Sequence, residues 1–290
     1  MNRPLPQPAH RQAGFTLVEM VMTLVIFALL AATATVFFRP ALMAYLGART
    51  RATLAAEADN ALRRLRRDVQ SAVPNSLRTP ASNCLELVPT TGGGRYRLGN
   101  DTVNGGALAV DPSAATTSFD VLSPLATVPA VGDWVVVDNQ NPGDVYAGSN
   151  RSAITAISTP AATAGKHRLA IAAMQFPLGY DGGRFTVVDN NQKAVFYVCA
   201  GASTTLDGNG NAPGVLYRLK NYGFNASMPS SCPSTAGADV LTTNVRSCRF
   251  LYDANQGATQ QSGFVSIQLE LTRSNETASL VLGAHVVNQP

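Results

Sequence analysis

The sequence predicts an α+β fold in which one long N-terminal helix packs on an antiparallel, β-rich globular domain. Residues 15–38 form an almost unbroken apolar run, and residues 54–72 carry apolar side chains at three- and four-residue steps. From Cys84 onward, short runs rich in Val, Leu, Phe and Tyr alternate with clusters of turn residues. The helix therefore has a transmembrane half and an amphipathic half, and the domain follows it.

The apolar run of residues 15–38 is long enough to cross a membrane. At about 1.5 Å per residue it makes about 36 Å of helix, against a hydrocarbon core of about 30 Å. Its only charged residue is Glu19. Because a carboxylate inside a membrane helix costs about 2.5–3.5 kcal/mol on insertion scales, such a residue normally has a function and a partner. An ordinary signal peptide would have a shorter core followed by a small-residue cleavage site, which Phe37-Phe38-Arg39-Pro40 is not.

The second half of the helix is predicted to continue to residue 73. Pro40 lacks an N–H and clashes with the preceding turn, so we expect a kink there. Pro74 and Asn75 end the helix. One apolar face is expected to pack on the domain: Leu54, Ala58, Ala61, Leu62, Leu65, Val69 and Ala72.

Four arginines occupy other positions of the same helix: Arg63, Arg64, Arg66 and Arg67. A basic cluster of this kind can bind nucleic acid or anionic lipid. No aromatic residue is interleaved with it, which argues against binding of single-stranded nucleic acid. The whole chain has 22 Lys and Arg against 18 Asp and Glu, which is not a strong nucleic-acid footprint. We interpret the cluster as a solvated face, or as one that pairs with acids of neighbouring subunits.

The β-rich region is divided by turn sequences at residues 92–94, 104–106, 141–143 and 181–183. A hairpin is predicted across residues 207–214, and a closing antiparallel meander from residue 245 to the C-terminus. The predicted strands are residues 84–88, 95–98, 119–122, 134–137, 152–157, 168–171, 184–188, 194–199, 215–220, 245–252, 264–271 and 279–287.

The four cysteines are Cys84, Cys199, Cys232 and Cys248, and none forms a Cys-x-x-Cys pair. A zinc site is therefore poorly supported. An even number of cysteines downstream of an export signal indicates disulfides in an oxidising compartment. Three pairings are possible. We favour Cys232–Cys248 with Cys84–Cys199, since the first closes a short loop that contributes about 3 kcal/mol in the chain-entropy model.

No arrangement of residues supports an enzyme, a cofactor or a metal site. His167 and His285 are isolated, no Gly-x-Ser-x-Gly elbow is present, and the glycines at 92–94 lack the Gly-Lys-Ser/Thr of a P-loop. Residues 207–211 alternate oxygen-bearing side chains as a calcium loop does, but Ala212 and Arg218 stand where that pattern has Gly and Glu. We interpret this segment as an ordinary loop.

The stretch Gly14-Phe15-Thr16-Leu17-Val18-Glu19 resembles the processing site of type IV prepilins and of the pseudopilins of type II secretion. The resemblance implies that a prepilin peptidase cleaves after Gly14 and methylates the new amine of Phe15. It also implies that Glu19 acts in assembly with other major and minor pilins at an inner-membrane assembly platform. The chain would then divide into a leader (1–14), a transmembrane and assembly helix (15–40), an amphipathic helix (41–74) and a β-rich periplasmic domain (75–290).

Two later stretches are similar to those of MSHA-type minor pilins: Leu65-Arg66-Arg67-Asp68-Val69, and residues 245–253 around Cys248. The second also resembles the J-type pseudopilins. This resemblance implies a minor pilin that initiates assembly or caps the filament, first anchored in the inner membrane and then part of a surface pilus. A type II secretion pseudopilin, and a tip adhesin or DNA-uptake pilin, remain the alternatives.

Overall fold

A computed structural model describes residues 14–99, 101–103, 105–178, 182–254 and 262–287. Apart from Gly14, the leader predicted at 1–14 lies outside these residues. The chain divides into two compact units, Met1–Arg49 and Thr50–Pro290. One helix, α1 (Leu17–Gln70), belongs in part to each unit. The predicted α+β architecture is confirmed: a long apolar helix is followed by an antiparallel β domain.

The amphipathic half of α1 buries the predicted face. Leu54, Ala58, Leu65 and Val69 are fully buried, and Ala61 and Leu62 nearly so. Pro40 lies inside α1 without ending it. The helix ends at Gln70 and not at residue 73, because the backbone N–H of Val73 donates to the Val88 carbonyl oxygen and not to a helical partner.

Thirteen strands and one short helix, α2 (Asp144–Ala147), follow α1 in the described residues. The strands are β1 (Arg78–Ala81), β2 (Cys84–Leu87), β3 (Gly92–Arg95), β4 (Thr116–Val121), β5 (Trp134–Val137), β6 (Arg151–Ser158), β7 (His167–Met174), β8 (Arg184–Val188), β9 (Val195–Ala200), β10 (Gly214–Leu219), β11 (Asp239–Asp253), β12 (Ser262–Arg273) and β13 (Glu276–Val287).

The first sheet has seven strands in the order β1-β2-β9-β10-β11-β12-β13, and its neighbours are antiparallel. The predicted β9–β10 hairpin and the closing β11–β13 meander are confirmed. Inward residues of these strands form one apolar core with the buried face of α1. That core contains Leu85, Tyr197, Leu216, Phe250, Ile267 and Leu269 among others.

The second sheet has six strands in the order β3-β8-β5-β6-β7-β4 and lies between β2 and β9 in the sequence. It has its own core, in which Phe119 packs edge-on against Tyr96 and Phe185. A third cluster joins the two sheets through Val73, Val88, Val136, Tyr146 and other residues. The second sheet is thus an insertion into the first, packed onto it at one side.

The prediction of a turn at residues 92–94 is wrong. Gly92–Arg95 is strand β3, which pairs with β8 in the register Gly93↔Thr186, whereas the predicted strand 95–98 contributes only its first residue. The reason is steric. A Cβ on Gly93 would meet the carbonyl oxygen of Phe185, and a Cβ on Gly94 would lie 2.8 Å from the Ser123 hydroxyl. Glycine is used here for close approach between strands and not for turning.

Replacing Gly93 with alanine is expected to destabilise the second sheet by about 1–3 kcal/mol, because the added methyl overpacks against a neighbouring strand's backbone. Gly92 supplies a matched control, since its Cβ would have the Thr127 carbonyl oxygen as nearest neighbour at 3.9 Å. Gly92→Ala should leave stability within about 0.5 kcal/mol or slightly raise it. Urea unfolding followed by fluorescence of Trp134, the single tryptophan, measures both. Equal effects of the two substitutions would contradict this assignment of β3.

The cysteine pairing favoured from the sequence is also wrong. The structure joins Cys84 to Cys232 and Cys199 to Cys248, with Cα separations of 5.8 and 6.2 Å. Cys84 lies opposite Val198 in the β2–β9 pair. Successive strand residues point to opposite faces, so Cys84 and Cys199 lie on different sides of the sheet. Accordingly, Cys84 packs with Phe196 and Cys232, and Cys199 packs in the core that contains Cys248.

Candidate functional site

Gly14 and Phe15 lie three and two residues before the start of α1, and both are exposed. The Phe15 side chain is 82% exposed. A Cβ on Gly14 would meet no heavy atom within 4 Å. The fold of the described chain therefore does not require glycine at this position, and both residues that flank the bond are exposed.

Thr16 and Glu19 form a capping box at the start of α1. The Glu19 backbone N–H donates to the Thr16 hydroxyl at 3.3 Å, and the Thr16 backbone N–H donates to the Glu19 carboxylate at 3.4 Å. Each side chain satisfies a backbone donor that the first turn of a helix leaves free. The Thr-x-x-Glu spacing is the sequence signal for this cap. Glu19 thus has a local role as well as the assembly role expected of it.

The apolar part of α1 is exposed to its surroundings along its length, from Leu17 to Leu46. It is the one helix in the described chain that is long and apolar enough to cross a membrane, by length and composition alone. Its threonines do not leave hydroxyls unpaired: Thr23, Thr33 and Thr35 donate to backbone carbonyls three or four residues earlier. This internal pairing suits a medium that offers no hydrogen bonds.

A buried ion pair fixes the far end of α1 to the first sheet. The Arg218 guanidinium, with its side chain 3% exposed, lies 2.7 Å from the Asp68 carboxylate. The same carboxylate accepts the Tyr197 hydroxyl at 2.6 Å, and Arg218 also donates to the side-chain oxygen of Gln192 at 2.6 Å. Burial, with the nearby Asp68 charge, raises the pKa of Tyr197 well above its usual value. Tyr197 is therefore a hydrogen-bond donor at any physiological pH.

Two more ion pairs join α1 to the β12–β13 hairpin. Arg273 donates two hydrogen bonds to Glu57, at 2.7 and 3.1 Å, in the paired geometry that guanidinium and carboxylate favour. Arg51 lies 2.6 Å from Glu276. These contacts and the Asp68 pair fix the amphipathic half of α1 against the sheet at both ends.

The arginine cluster is only partly paired. Arg63 lies 2.6 Å from Asp59, and Arg64 lies 3.7 Å from Asp68 on the same helix. Arg66 and Arg67 are exposed, and the part of the chain that the structure describes offers them no acidic partner. The interpretation as a mainly solvated face is consistent with this arrangement.

In the loop at residues 207–211, polar side chains form hydrogen bonds within the loop. The Asp207 carboxylate accepts backbone N–H bonds from Asn209 and Asn211, each at 2.8 Å, and these hydrogen bonds lower the pKa of Asp207. Asn211 in turn accepts the backbone N–H of Ser274 at 3.0 Å. The loop is therefore built to dock on the β12–β13 turn. Among the described residues, no group of three or more His, Cys, Asp and Glu side chains is placed to hold a metal ion.

The predicted site residues fall into two groups. Gly14, Phe15 and Glu19 lie together around the start of α1, while all four cysteines lie in the β domain as two disulfides. Sequence reasoning missed Thr16 as a cap and the buried Asp68–Arg218–Tyr197 network. The first could have been found from its spacing; the second joins residues far apart in the chain and carries no local signal.

A model of the prokaryotic N-terminal methylation motif matches residues 9–35. No curated protein and no solved structure matches the chain. The matched segment covers the junction between Gly14 and Phe15, the capping box and most of the exposed apolar helix. With the antiparallel domain that follows, this motif supports a type IV pilin-like or pseudopilin-like protein that is anchored by its N-terminal helix, processed by prepilin peptidase and assembled with other pilins.

Proposed function

We propose that this protein is a minor pilin of an MSHA-like type IV pilus, acting in initiation of assembly or at the filament tip. The observation that carries the proposal is the methylation motif at residues 9–35, which covers the Gly14–Phe15 junction and most of an exposed apolar segment of membrane length whose single charge is Glu19. In a membrane anchor alone the carboxylate would serve only as a helix cap. Assembly gives it a second role, because the carboxylate can meet a cationic partner when helices pack against each other.

The proposed sequence of events starts in the inner membrane, with the leader in the cytoplasm and the β domain in the periplasm. The peptidase removes residues 1–14 and methylates the amine of Phe15. The apolar helix then leaves the lipid at the assembly platform and packs among the helices of other pilins. There the Glu19 carboxylate pairs with the methylated amine of a neighbouring subunit. The attraction between the two charges must offset the cost of removing both of them from water. The pair therefore contributes more to the register between neighbouring subunits than to the affinity between them.

The size of the β domain favours a low-copy subunit. A complete six-stranded sheet is inserted between β2 and β9. The domain is therefore much larger than a domain made of a single sheet packed on a helix. A subunit repeated thousands of times along a filament has to pack such an insertion against every neighbour. A subunit that initiates or caps the filament does not.

A substitution at Gly14 tests the processing step. Because a Cβ at this position meets nothing in the fold, Gly14→Arg should leave the domain folded yet reduce cleavage by at least about tenfold, through exclusion from a peptidase pocket shaped for a small residue. Gly14→Ala is the matched control and should retain most of the cleavage. Immunoblots of cells with and without the peptidase separate precursor from mature chain. Equal cleavage of the two variants would contradict the proposal.

A further inference from the structure

The last strand, β13, is a free edge of the seven-stranded sheet. Among the described strands its one neighbour is β12, with which it pairs from Arg273↔Glu276 to Ser262↔Val287 without a register shift. The two-residue turn between them, Ser274-Asn275, has positive φ at both positions (52° and 63°). Positive φ at both positions is typical of the two-residue turn of a regular β-hairpin, in which the residues on either side of the turn, here Arg273 and Glu276, form a hydrogen-bonded pair. The backbone of Glu276 therefore bonds to β12.

The alternation of an antiparallel ladder fixes which backbone groups point away from the sheet. Residues 276, 278, 280, 282, 284 and 286 bond to β12. The N–H and C=O groups of Thr277, Ser279, Val281, Gly283 and His285 face outward. Within the described ranges no other backbone group bonds to these five. The strand also carries no Pro, Lys or Arg, which are the residues that usually protect a free edge from pairing with another chain.

The apolar layer beneath the sheet is incomplete at this edge. Ile267 and Leu269 of β12 are each 1% exposed, whereas their partners across the ladder, Leu282 and Leu280, are only partly buried. Ala278 is also only partly buried. One more strand, with apolar side chains on its inner face, would cover these three side chains and complete the layer.

We propose that the β13 edge is a docking site for an extended strand donated by another polypeptide. The incoming strand pairs with the outward backbone groups of β13 and places alternate apolar side chains beside Leu280 and Leu282. Backbone hydrogen bonds provide the attachment, and the alternating apolar positions provide selectivity. This site is separate from the helix contacts of the proposed assembly role, but the choice of its occupant rests on that role.

A second copy of this chain fits the edge poorly. The opposite edge of the sheet, β1, is four residues long and contains Pro80, so head-to-tail extension of the sheet would leave most of β13 unpaired. Antiparallel pairing of two β13 strands requires a twofold axis perpendicular to the sheet, which reverses the direction of α1 between the copies. Copies that the same segment anchors in one membrane, as the proposed function has them, run in the same direction. A different polypeptide that presents an extended segment is the better match.

Hydrogen exchange of the wild-type full chain tests the site directly. In the purified protein in detergent, the amides of the five outward residues should exchange at least about 100-fold faster than those of residues 278, 280 and 282. In the assembly isolated from native membranes, the same five should slow to the rates of their neighbours. Unchanged fast exchange in the assembly would overturn the proposal. So would slowing of these amides in the purified protein together with dimer formation, which would assign the edge to a second copy.

Two variants at Val281 separate backbone pairing from side-chain contact. Val281→Pro removes an outward N–H without breaking a bond to β12, so the fold should be kept, while protection of the other four amides in the assembly should be lost. Val281→Ala removes most of the side chain, which is 67% exposed, and should keep that protection. Equal protection in both variants would overturn the proposal, because it would mean that the edge backbone is not the attachment.

Discussion

Replacing Glu19 with alanine is expected to leave membrane insertion intact and to reduce incorporation into filaments by at least about tenfold. Insertion should if anything improve, since the substitution removes the one charge of the apolar segment. Incorporation should fall because the methylated amine of the neighbouring subunit is then buried without its partner, a loss of about 3–5 kcal/mol in comparable buried pairs. Immunoblots of membranes and of sheared filaments measure the two quantities separately.

The capping box supplies the control for this experiment. Glu19→Ala also removes a helix cap, so a loss of assembly could in principle come from fraying of the first turn. Thr16→Ala removes the hydroxyl that caps the Glu19 N–H and costs about 1 kcal/mol of local helix stability, but it keeps the carboxylate. This variant should assemble at close to the normal level. If Thr16→Ala impairs incorporation as strongly as Glu19→Ala, the role given to the charge is contradicted.

Replacing Asp68 with alanine is expected to destabilise the β domain by about 3–5 kcal/mol, because it leaves the Arg218 guanidinium buried without its counter-charge. The Tyr197 hydroxyl loses its acceptor at the same time. For a domain of this size, each kcal/mol corresponds to about 2–4 °C in Tm. Urea unfolding of the full chain in detergent, followed by Trp134 fluorescence, gives the change in the free energy of unfolding.

Asp59 is the matched control, since it also pairs with an arginine of α1 but does so at the surface. Asp59→Ala should cost no more than about 0.5 kcal/mol. The double variant Asp68→Leu with Arg218→Met should recover much of the loss, because it removes both buried charges and keeps the volume. If Asp68→Ala were no more costly than Asp59→Ala, the network would not be what fixes α1 to the sheet.

The helix and the closing strands could be predicted because their patterns are local. The apolar face from Leu54 to Val69 repeats at helical spacing, and apolar residues alternate with others in most of β12. The strand at Gly92–Arg95 could not be predicted in this way, because its glycines serve a contact with β8, which comes much later in the sequence. At these glycines, packing between two strands that lie far apart in the sequence outweighs the local propensity to form a turn.

The disulfides and the buried ion pair were also not predictable, because they too join residues that are far apart in the sequence. Loop length favoured Cys232–Cys248, whereas the face of the sheet on which each cysteine lies decides the pairing. That face depends on the register of Cys84 with Val198, which no short stretch of sequence encodes. Likewise Asp68 stands beside several arginines in the sequence, yet its buried partner is Arg218 in β10. Around Gly14, Phe15 and Glu19, by contrast, the signal is contiguous, and there the sequence is informative by itself.

Mass spectrometry of the N-terminal peptide, on protein taken from its native membrane, tests the central claim most directly. Processing of this prepilin-like chain predicts a mature chain that begins at Phe15 and carries one added methyl group on its amine. Every later step, from the pairing of Glu19 to packing in a filament, requires that amine to exist. A chain that still begins at Met1 would contradict the account, and Glu19 would then be only the cap of a membrane anchor.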